Sequence, residues 1–302
     1  MKEKKQSMHR VVLVDGNALA FRSLFSHEAL TTKVDDKVIY TGLIFGFIKM
    51  LIYVKKEYNP KKFVVFWDGG STRKKEIYPD YKKGRKFKTK DMNFDDVKNS
   101  LDYCRKLLKY VGIQQFRVFG EEGDDIIASY ISQNPGKKYF ILSNDHDMFQ
   151  LIGKGIVVIR MKQGDTTLWN IKKFITDHGF EPKYYTHYLS LIGDSTDNIP
   201  GAKGIGPKAA QNIFAQMKKP TIKMLYNSID DIEMTPNIKN KLLMAKNDVK
   251  LFFKIIKLKE DIELIPLNNN QQKPIKLLSI LRDLRFKSIY SDPDMMNSLC
   301  GL

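Results

Sequence analysis

The sequence is poor in cysteine and contains no long apolar run. Cysteine occurs only at Cys104 and Cys300, which provide neither a disulfide framework nor zinc-site spacing. No stretch approaches the ~20 apolar residues of a membrane span. The N-terminal residues 1–10 (MKEKKQSMHR) lead into a short apolar run without the core of a signal peptide. We therefore expect a soluble, cytoplasmic protein of a reducing compartment that has no membrane partner.

Acidic residues are scarce relative to basic ones. The 51 Lys and Arg against 34 Asp and Glu give a formal charge of +17. This excess indicates a polyanionic partner, nucleic acid first and an anionic membrane surface second, although a basic surface also serves solubility. The 302 residues, 42% of them hydrophobic, suffice for one large domain or two modest ones with a sizeable core.

Short β-branched or aromatic runs predict the fold class. They are VVLVD (11–15), FVVFWD (63–68), YFILSND (139–145) and IVVIRM (156–161). Helix-like segments separate them, which is typical of an α/β fold with a largely parallel sheet. From about Tyr184 onward helical patterns dominate, with residues 239–261 the longest, and residues 266–274 form a polar linker before a last amphipathic segment. A helical second part is therefore predicted.

Acidic residues stand where these elements end or begin. Three of the runs contain or end in Asp15, Asp68 and Asp145, and parallel strands present their carboxyl ends at one edge, where open α/β sheets bind ligands. Further acids occupy predicted helix starts and turns: Glu121, Glu122, Asp124, Asp125, Asp147, Asp194 and Asp197. Each pair taken alone is also explained by helix capping or by the helix dipole.

Taken together, the acids predict a metal centre. Gathered carboxylates repel one another unless cations lie between them, and hard oxygen ligands without clustered Cys or His favour Mg²⁺ or Mn²⁺. Two such ions ~3.5–4 Å apart activate a water and stabilise the leaving oxygen of a phosphodiester. The neighbouring His146 is not needed as a general base in this chemistry. The predicted reaction is phosphoryl hydrolysis.

A glycine-rich turn and a basic segment add a nucleic-acid interface. Residues 201–214 (GAKGIGPKAAQNIF) predict two helices joined by a hairpin, in which Gly204-Ile205-Gly206 lets backbone N–H groups approach a phosphate beside Lys208. This helix-hairpin-helix pattern grips a DNA backbone without reading sequence, whereas a plain packing turn is the alternative. Residues 73–90 carry nine Lys or Arg with interleaved aromatics, which indicates a solvated face or a segment that arches over the site and tracks single-stranded nucleic acid.

The chain resembles the 5′-nuclease superfamily, specifically the 5′-3′ exonuclease domain of bacterial DNA polymerase I and the phage flap endonucleases. The resemblance spans about residues 10–260 and rests on VDGNALAFRS, FWDGGSTRKKEIYPDYKKGRK, GEEGDD, SNDHDMFQL and GDSTDNIPGAKGIGPKAA. It implies a PIN-like, mainly parallel sheet flanked by helices, with a helical C-terminal subdomain of the helix-hairpin-helix (H3TH) type. The implied division is a catalytic domain over 8–186, with a basic arch at about 73–110, and a DNA-binding domain over 187–302.

The resemblance also implies roles for individual residues. The family's divalent-metal ligands correspond to Asp15, Asp68, Glu122, Asp124, Asp125, Asp145, Asp147, Asp194 and Asp197, with Asp68, Asp124 and Asp145 among the catalytic residues. The arch-base motif PDYKKGR implies that Lys82 and Arg85 bind the scissile phosphate and that Tyr81 stacks on an unpaired base, with Lys83 a further DNA contact. Arg22 falls where the family has another DNA contact.

The implied activity is a 5′-3′ exonuclease and 5′-flap endonuclease of replication and repair. It uses two or more Mg²⁺ or Mn²⁺ ions, with K⁺ at the hairpin, and acts as a monomer on DNA with a 5′ flap, overhang or nick, in a bacterial cell or phage-infected host. Because no polymerase domain follows, we expect a stand-alone nuclease. Gly123, the string SNDHD and the pair Lys83-Gly84 depart from the family pattern. None of them removes a metal ligand or the key lysine, so we expect activity to be retained, and the departures bear only on substrate preference.

Three alternatives remain at this stage. A binding-only relative would lack some of the nine acids, all of which are present. A small-molecule phosphohydrolase does not explain the hairpin or the basic segment. Removal of RNA primers from an RNA–DNA hybrid is a substrate variant that the sequence leaves open. The polarity of cleavage comes from the resemblance and not from residue chemistry.

Overall fold

The computed structural model of the chain describes residues 10–27, 29–84, 92–162, 165–267, 269 and 271–302. The strands are Arg10–Asp15 (β1), Thr31–Val34 (β2), Lys37–Tyr40 (β3), Lys62–Trp67 (β4), Gln114–Arg117 (β5), Lys138–Leu142 (β6), Ile156–Lys162 (β7) and Asp165–Trp169 (β8). The helices are Gly16–Ser26 (α1), Thr41–Tyr58 (α2), Thr72–Ile77 (α3), Phe94–Val111 (α4), Gly123–Gln133 (α5), Ile171–His178 (α6), Tyr185–Ile192 (α7), Pro207–Ala215 (α8), Ile222–Asn227 (α9), Pro236–Met244 (α10), Lys246–Ile256 (α11), Pro274–Asp283 (α12), Lys287–Tyr290 (α13) and Pro293–Cys300 (α14), with 3-10 helices at His146–Leu151 and Pro182–Tyr184.

A six-stranded sheet of order β5-β4-β1-β6-β7-β8 forms the centre of the molecule. The strands are parallel except for β8, which pairs antiparallel with β7 at the edge. The registers place Val12 beside Phe63 of β4 and Phe140 of β6. The short strands β2 and β3 form a separate antiparallel ribbon. The predicted α/β class with a mainly parallel sheet is confirmed.

The central positions of β1, β4 and β6 are apolar because both faces of the sheet are covered. Alternate residues of β1 enter two different cores: Val11 and Leu13 face one side, while Val12 and Val14 face the other. This period of two, with no solvated face, produces the continuous apolar runs of parallel strands. Packing on both faces therefore fixes the ends of the strands and the positions of the residues that follow them.

The two cores contain different parts of the chain. The first joins α5 and helices α7 to α11, which follow the sheet in sequence. The second joins α1, α2 and α4 with α12 and α14, and α12 packs against α4. The C-terminal helices α12 and α14 therefore share a core with α1, α2 and α4, whereas the predicted division placed them in one domain with the hairpin, and that division stays a prediction. No helix within the described part of the chain is both long and apolar enough to cross a membrane.

Candidate metal centre and nucleic-acid interface

Three aspartates extend from the carboxyl ends of neighbouring strands. Asp15 ends β1 and caps α1, with Oδ1 accepting from the Ala18 amide at 3.0 Å and Oδ2 accepting from the Ser143 hydroxyl at 2.8 Å. Asp68 follows β4 and accepts from the Gly123 amide at 2.7 Å. Asp145 follows β6 and caps the first 3-10 helix. Because β4, β1 and β6 are adjacent and parallel, the three carboxylates lie along one edge.

Two further groups of carboxylates complete the site. Glu122 precedes the first residue of α5, and Asp124 and Asp125 lie in the first turn of that helix. Asp147 lies in the first 3-10 helix, and Asp194 and Asp197 form a turn after α7 that is closed by a bridge between Asp194 and Ile199. The potential ligand oxygens of Glu122, Asp124 and Asp125 lie within 4.8 Å of one another, as do those of Asp147, Asp194 and Asp197.

The electrostatics of these carboxylates fit a divalent-metal site. Burial, with Asp68 and Asp145 nearby, raises the pKa of Asp15 to about 7. Burial and neighbouring acids also raise the pKa values of Asp124 and Asp147 well above their ordinary range, with Asp145 and Asp124 acting on Asp147. Ionised, these groups repel one another, and hard divalent cations are the species that offset such repulsion among oxygen ligands. The donor set suits Mg²⁺ or Mn²⁺ chemistry.

Two lysines approach the same carboxylates. The Lys74 ammonium, 3% exposed, lies 2.7 Å from Glu122 Oε2 and 2.9 Å from Asp125 Oδ2. The Lys82 ammonium lies 2.5 Å from Glu122 Oε1 and 3.6 Å from Asp197 Oδ2. Burial alone would raise the pKa of Glu122, but Lys74 and Lys82 hold it at about 2. Glu122 is therefore ionised and lies between two protein cations.

Tyr81 corrects an expectation from the sequence. Its side chain is 2% exposed, and its hydroxyl lies 2.8 Å from both Glu122 Oε2 and Asp197 Oδ2, so its single proton serves one carboxylate at a time. The ring also lies beneath the ammonium groups of Lys74 and Lys82. A ring buried in this way is not available for stacking on a DNA base. The alternation of aromatic and basic residues in the sequence could not show whether Tyr81 is a buried side chain or one that stacks on a base.

The arch base is fastened to the turn that carries the last two acids. The Lys82 amide donates to the Asp197 carbonyl at 3.0 Å, and the Asn198 side-chain amide donates to the Asp80 carbonyl at 2.7 Å. Lys82 adopts a left-handed backbone conformation with φ of 55°. Lys83 points away and pairs with Asp80 at 2.8 Å. These contacts fix the Lys82 backbone while its side chain faces the acids.

Arg22 and Arg85 are the other two residues predicted to contact DNA. Arg22 is half-buried on α1. Arg85 falls outside the described residues, as do residues 86–91 of the predicted arch. The structure thus leaves the assignments of Arg22 and Arg85 as predictions.

The glycine turn lies between α7 and α8. Residues 201–214 contain one helix rather than the predicted two, because the first helix of the hairpin ends earlier, at Ile192. Gly204 has a φ of 82°, and an added Cβ would lie 2.7 Å from the Lys241 ammonium. Ile205 is buried at 3% exposure and anchors the turn, whereas Gly206 and Lys208 are exposed at the start of α8. The first amides of a helix lack intrahelical acceptors, so this end suits a phosphate.

Several functional neighbours were missed by the sequence analysis. Arg73 and Lys74 on α3 pair with the acids, Ser143 donates to Asp15, and the Asn17 side chain accepts from the Asp68 amide at 3.2 Å. Arg73 and Lys74 were counted within the basic segment, and a helix as short as Thr72–Ile77 offers no periodicity from which a buried face could be predicted. The motif SND carries the only sequence signal for Ser143.

A carboxylate cluster at the carboxyl edge of a parallel sheet, with a lysine at its rim, defines a metal-dependent phosphodiester hydrolase. Comparison with known proteins is consistent with this class. The profile of the 5′-3′ exonuclease N-terminal resolvase-like domain matches residues 10–184, and that of the 5′-3′ exonuclease C-terminal SAM fold matches residues 180–276. The chain belongs to the 5′-3′ exonuclease family, and it is a nuclease.

Individual relatives agree with this assignment. The chain is 32% identical to a 5′-3′ exonuclease of Aquifex aeolicus, over 95% of this chain and 96% of that protein. It is 30% identical to the thermostable DNA polymerase I of Thermus aquaticus, over 96% of this chain and 33% of the polymerase. The fold is similar to that of the T5 D15 flap endonuclease, solved as a pseudo-enzyme-product complex with DNA and metal ions, with a TM-score of 0.64 at 18% identity over 96% of each chain.

Proposed function

We propose that the chain is a structure-specific 5′ nuclease that hydrolyses DNA phosphodiesters with two divalent ions, Mg²⁺ or Mn²⁺, as a 5′-3′ exonuclease and 5′-flap endonuclease. The observation that carries the proposal is the meeting of strand-end and helix-start carboxylates beside the Lys82 ammonium. A binding-only protein has no use for this cluster, since its repulsion costs stability without a cation.

Eight of the nine carboxylates are proposed to hold the ions: Asp15, Asp68, Glu122, Asp124, Asp145, Asp147, Asp194 and Asp197. When bound, the ions would supply an activated water and offset charge on the leaving oxygen. Ser143, Asn17 and the Gly123 amide orient Asp15 and Asp68 through the hydrogen bonds described above. Ligands held in this way need little rearrangement, which is the role of outer partners in metal sites.

Lys82 is proposed to act on the scissile phosphate. Its side chain is 20% exposed, so its ammonium can reach a phosphate placed above the acids. Burial alone would lower its pKa, but Glu122 and Asp197 raise it above the ordinary range, and the group stays charged at neutral pH. A fixed positive charge stabilises the non-bridging oxygens more as water attacks than in the bound ground state.

The DNA contacts are proposed to extend on both sides of the site. Gly204, Ile205 and Gly206 would offer backbone groups, and Lys208 its charge, to the phosphates of a duplex, with K⁺ held at the same turn. Arg22, Lys83 and Arg85 would contact the strand entering the site. The preferred DNA would carry a 5′ flap, overhang or nick. The protein would act as a monomer and could also accept an RNA–DNA hybrid.

The metal requirement is tested by cleavage of a labelled 5′-flap DNA. We expect EDTA to abolish cleavage while DNA binding persists, and Asp145→Asn/Asp147→Asn to behave in the same way. Metal-independent cleavage by the double variant would overturn the mechanism. Running the flap beside a hybrid with a 5′-RNA strand, in Mg²⁺ and in Mn²⁺, determines the preferred strand chemistry and ion.

A further inference from the structure

Asp125 has surroundings unlike those of a metal ligand. The residue is fully buried, and its Oδ1 accepts from Arg73 Nη2 at 3.1 Å and from the Lys259 backbone amide at 2.7 Å. Its Oδ2 forms an ion pair with Lys74 at 2.9 Å, without an aligned hydrogen bond among the described residues. One oxygen therefore has two donors, and the other faces an ammonium group.

Lys74 fills the space that an ion at Asp125 would need. Its ammonium is within 3 Å of both Asp125 Oδ2 and Glu122 Oε2 and lies 3.5 Å from Asp124 Oδ2. A divalent ion at Asp125 Oδ2 would have to displace this ammonium, although Lys74 is only 3% exposed and is closely surrounded by protein.

We propose that Asp125 is a positioning residue and not a metal ligand. Its contacts with Arg73 and Lys74 hold α3 against the start of α5. Its hydrogen bond from the Lys259 amide holds the segment after α11 against the same end of α5. The inference rests on the proposed function, and it revises the expectation that all nine acids hold metal. Glu122 also contacts Lys74, but its other oxygen faces the partly exposed Lys82, which a substrate phosphate can draw away, so the divalent ions are left to the other eight acids.

The arrangement gives Asp125 an influence on the reaction through the chain that follows α3. Lys74 lies on α3, and the same segment continues to Lys82 at the rim of the acids. Loss of the Asp125 charge removes one of the three carboxylates that face Lys74 and one of the two that face Arg73, and weakening buried ion pairs in this way is destabilising. Loss of Asp125 would release α3 and shift Lys82 relative to the metals, and a misplacement of about 1 Å can slow a reaction by on the order of a hundredfold.

The test compares Asp125→Asn with Asp124→Asn, its neighbour and a proposed ligand. Bound Mn²⁺ is counted by electron paramagnetic resonance, the thermal midpoint is measured in EDTA, and single-turnover cleavage of the 5′-flap DNA is measured well below that midpoint. For Asp125→Asn we expect a midpoint lower by roughly 5–15 °C, the wild-type number of Mn²⁺ ions with affinity within about threefold, and a rate reduced by about tenfold or more. For Asp124→Asn we expect Mn²⁺ affinity reduced by about tenfold or more without that loss of midpoint.

The double variant Lys74→Met/Asp125→Asn removes both charges of the pair. Its midpoint should exceed that of Asp125→Asn, because no buried ammonium then faces a neutral amide, while Glu122 keeps Lys82 and Arg73 keeps Glu121 as partners. It replaces Asp125→Asn in the Mn²⁺ titration if the single variant does not fold. Loss of a Mn²⁺ ion in Asp125→Asn or in the double variant would make Asp125 a ligand and overturn the proposal. A wild-type single-turnover rate in Asp125→Asn would overturn the positioning role. Wild-type protein that binds no Mn²⁺ would instead overturn the proposed function.

Discussion

Adjacent lysines at the arch base have opposite surroundings. Lys82 is drawn toward Glu122 and Asp197 at the acid cluster, whereas Lys83 pairs with Asp80 and is 72% exposed. The left-handed backbone at Lys82 turns the two side chains apart. The sequence motif alone could not establish this difference, since both residues are lysines in one basic run.

Replacing Lys82 with alanine should slow cleavage without abolishing DNA binding. The lysine stabilises charge that develops in the transition state, so we expect a single-turnover rate lower by on the order of 10²–10³ and a Kd for DNA within a few-fold of wild type. Rapid-quench cleavage and a fluorescence binding assay in Ca²⁺ or EDTA measure the two quantities separately.

Lys83→Ala is the matched control for Lys82→Ala. Because Lys83 faces solvent, its loss should affect binding at most and leave the single-turnover rate near wild type. If Lys83→Ala proved to be the slow enzyme and Lys82→Ala cleaved normally, the motif alignment would be off by one residue.

At the scale of elements, the buried strands were predictable and the edge strands were not. The strands β1, β4, β6 and β7 were recognised because two covered faces demand successive apolar residues along most of each strand. β5 (QQFR) and β8 (DTTLW) carry polar residues, and their strand state is decided by the neighbour with which they pair. The predicted helix over 239–261 is interrupted at Ala245. No Pro or Gly at this point predicts the interruption, because tertiary packing overrides the local helix propensity.

The site could also be predicted only where it follows from the ends of strands and helices. The nine acids were found because strand ends and helix starts are visible in sequence, so their meeting at one edge followed from topology. The buried ring of Tyr81 and the ion pairs of Lys74 depend on how α3 packs, which no local pattern encodes. Composition indicates that a segment is basic but not which of its charges are internal.

If the hairpin binds duplex phosphates, the affinity for duplex DNA should depend on salt through Lys208. Lys208 is exposed in the first turn of α8, and losing one phosphate contact lowers the slope of log K against log salt by about one. We therefore expect Lys208→Ala to weaken duplex binding and flatten that slope. Lys183→Ala, which removes a lysine paired with Glu181, is the control. A wild-type slope for Lys208→Ala would show that the turn is only structural.

Packing of α7 on α9 and α11 should make stability depend on pH through His187. The Ile222 amide donates to His187 Nδ1 at 3.3 Å, and the His187 ring stacks on Phe253. Burial, followed by the charge of Lys257, lowers the pKa of His187 to about 4. Below pH ~6.5 the unfolded state binds the proton first, so stability falls as pH falls, by up to about 1.4 kcal/mol per unit. Urea unfolding between pH 5 and 8 should show a flatter profile for His187→Gln. Identical profiles would contradict the assignment.

At the scale of the whole molecule, the last helices close the core of the first half. Leu277, Ile280 and Leu281 of α12 are buried with residues of β1, β4 and α2, and Phe286 contacts Phe45 with ring centroids 5.8 Å apart. The catalytic half thus draws on two separate stretches of chain, and helices α7 to α11 are inserted between them.

Truncating one of these side chains should destabilise the protein as a central core substitution does. Leu281 is fully buried, so Leu281→Ala should lower the free energy of unfolding by about 2–5 kcal/mol, whereas Ile275→Ala, at an 87% exposed position of the same helix, should change it by about 0.5 kcal/mol or less. Urea denaturation measures both. Equal, small effects would mean that α12 is only loosely attached.

The late position of α12 in the chain has a consequence for biosynthesis. A ribosome adds roughly 5–20 residues per second, so on the order of ten seconds separate the emergence of the sheet from that of the helix that covers it. During this interval one face of the sheet lacks part of its cover, and we expect the nascent protein to rely on chaperones then. Ribosome-arrested chains ending at residue 273 should be cut by protease within the first half, and released chains of 302 residues should resist.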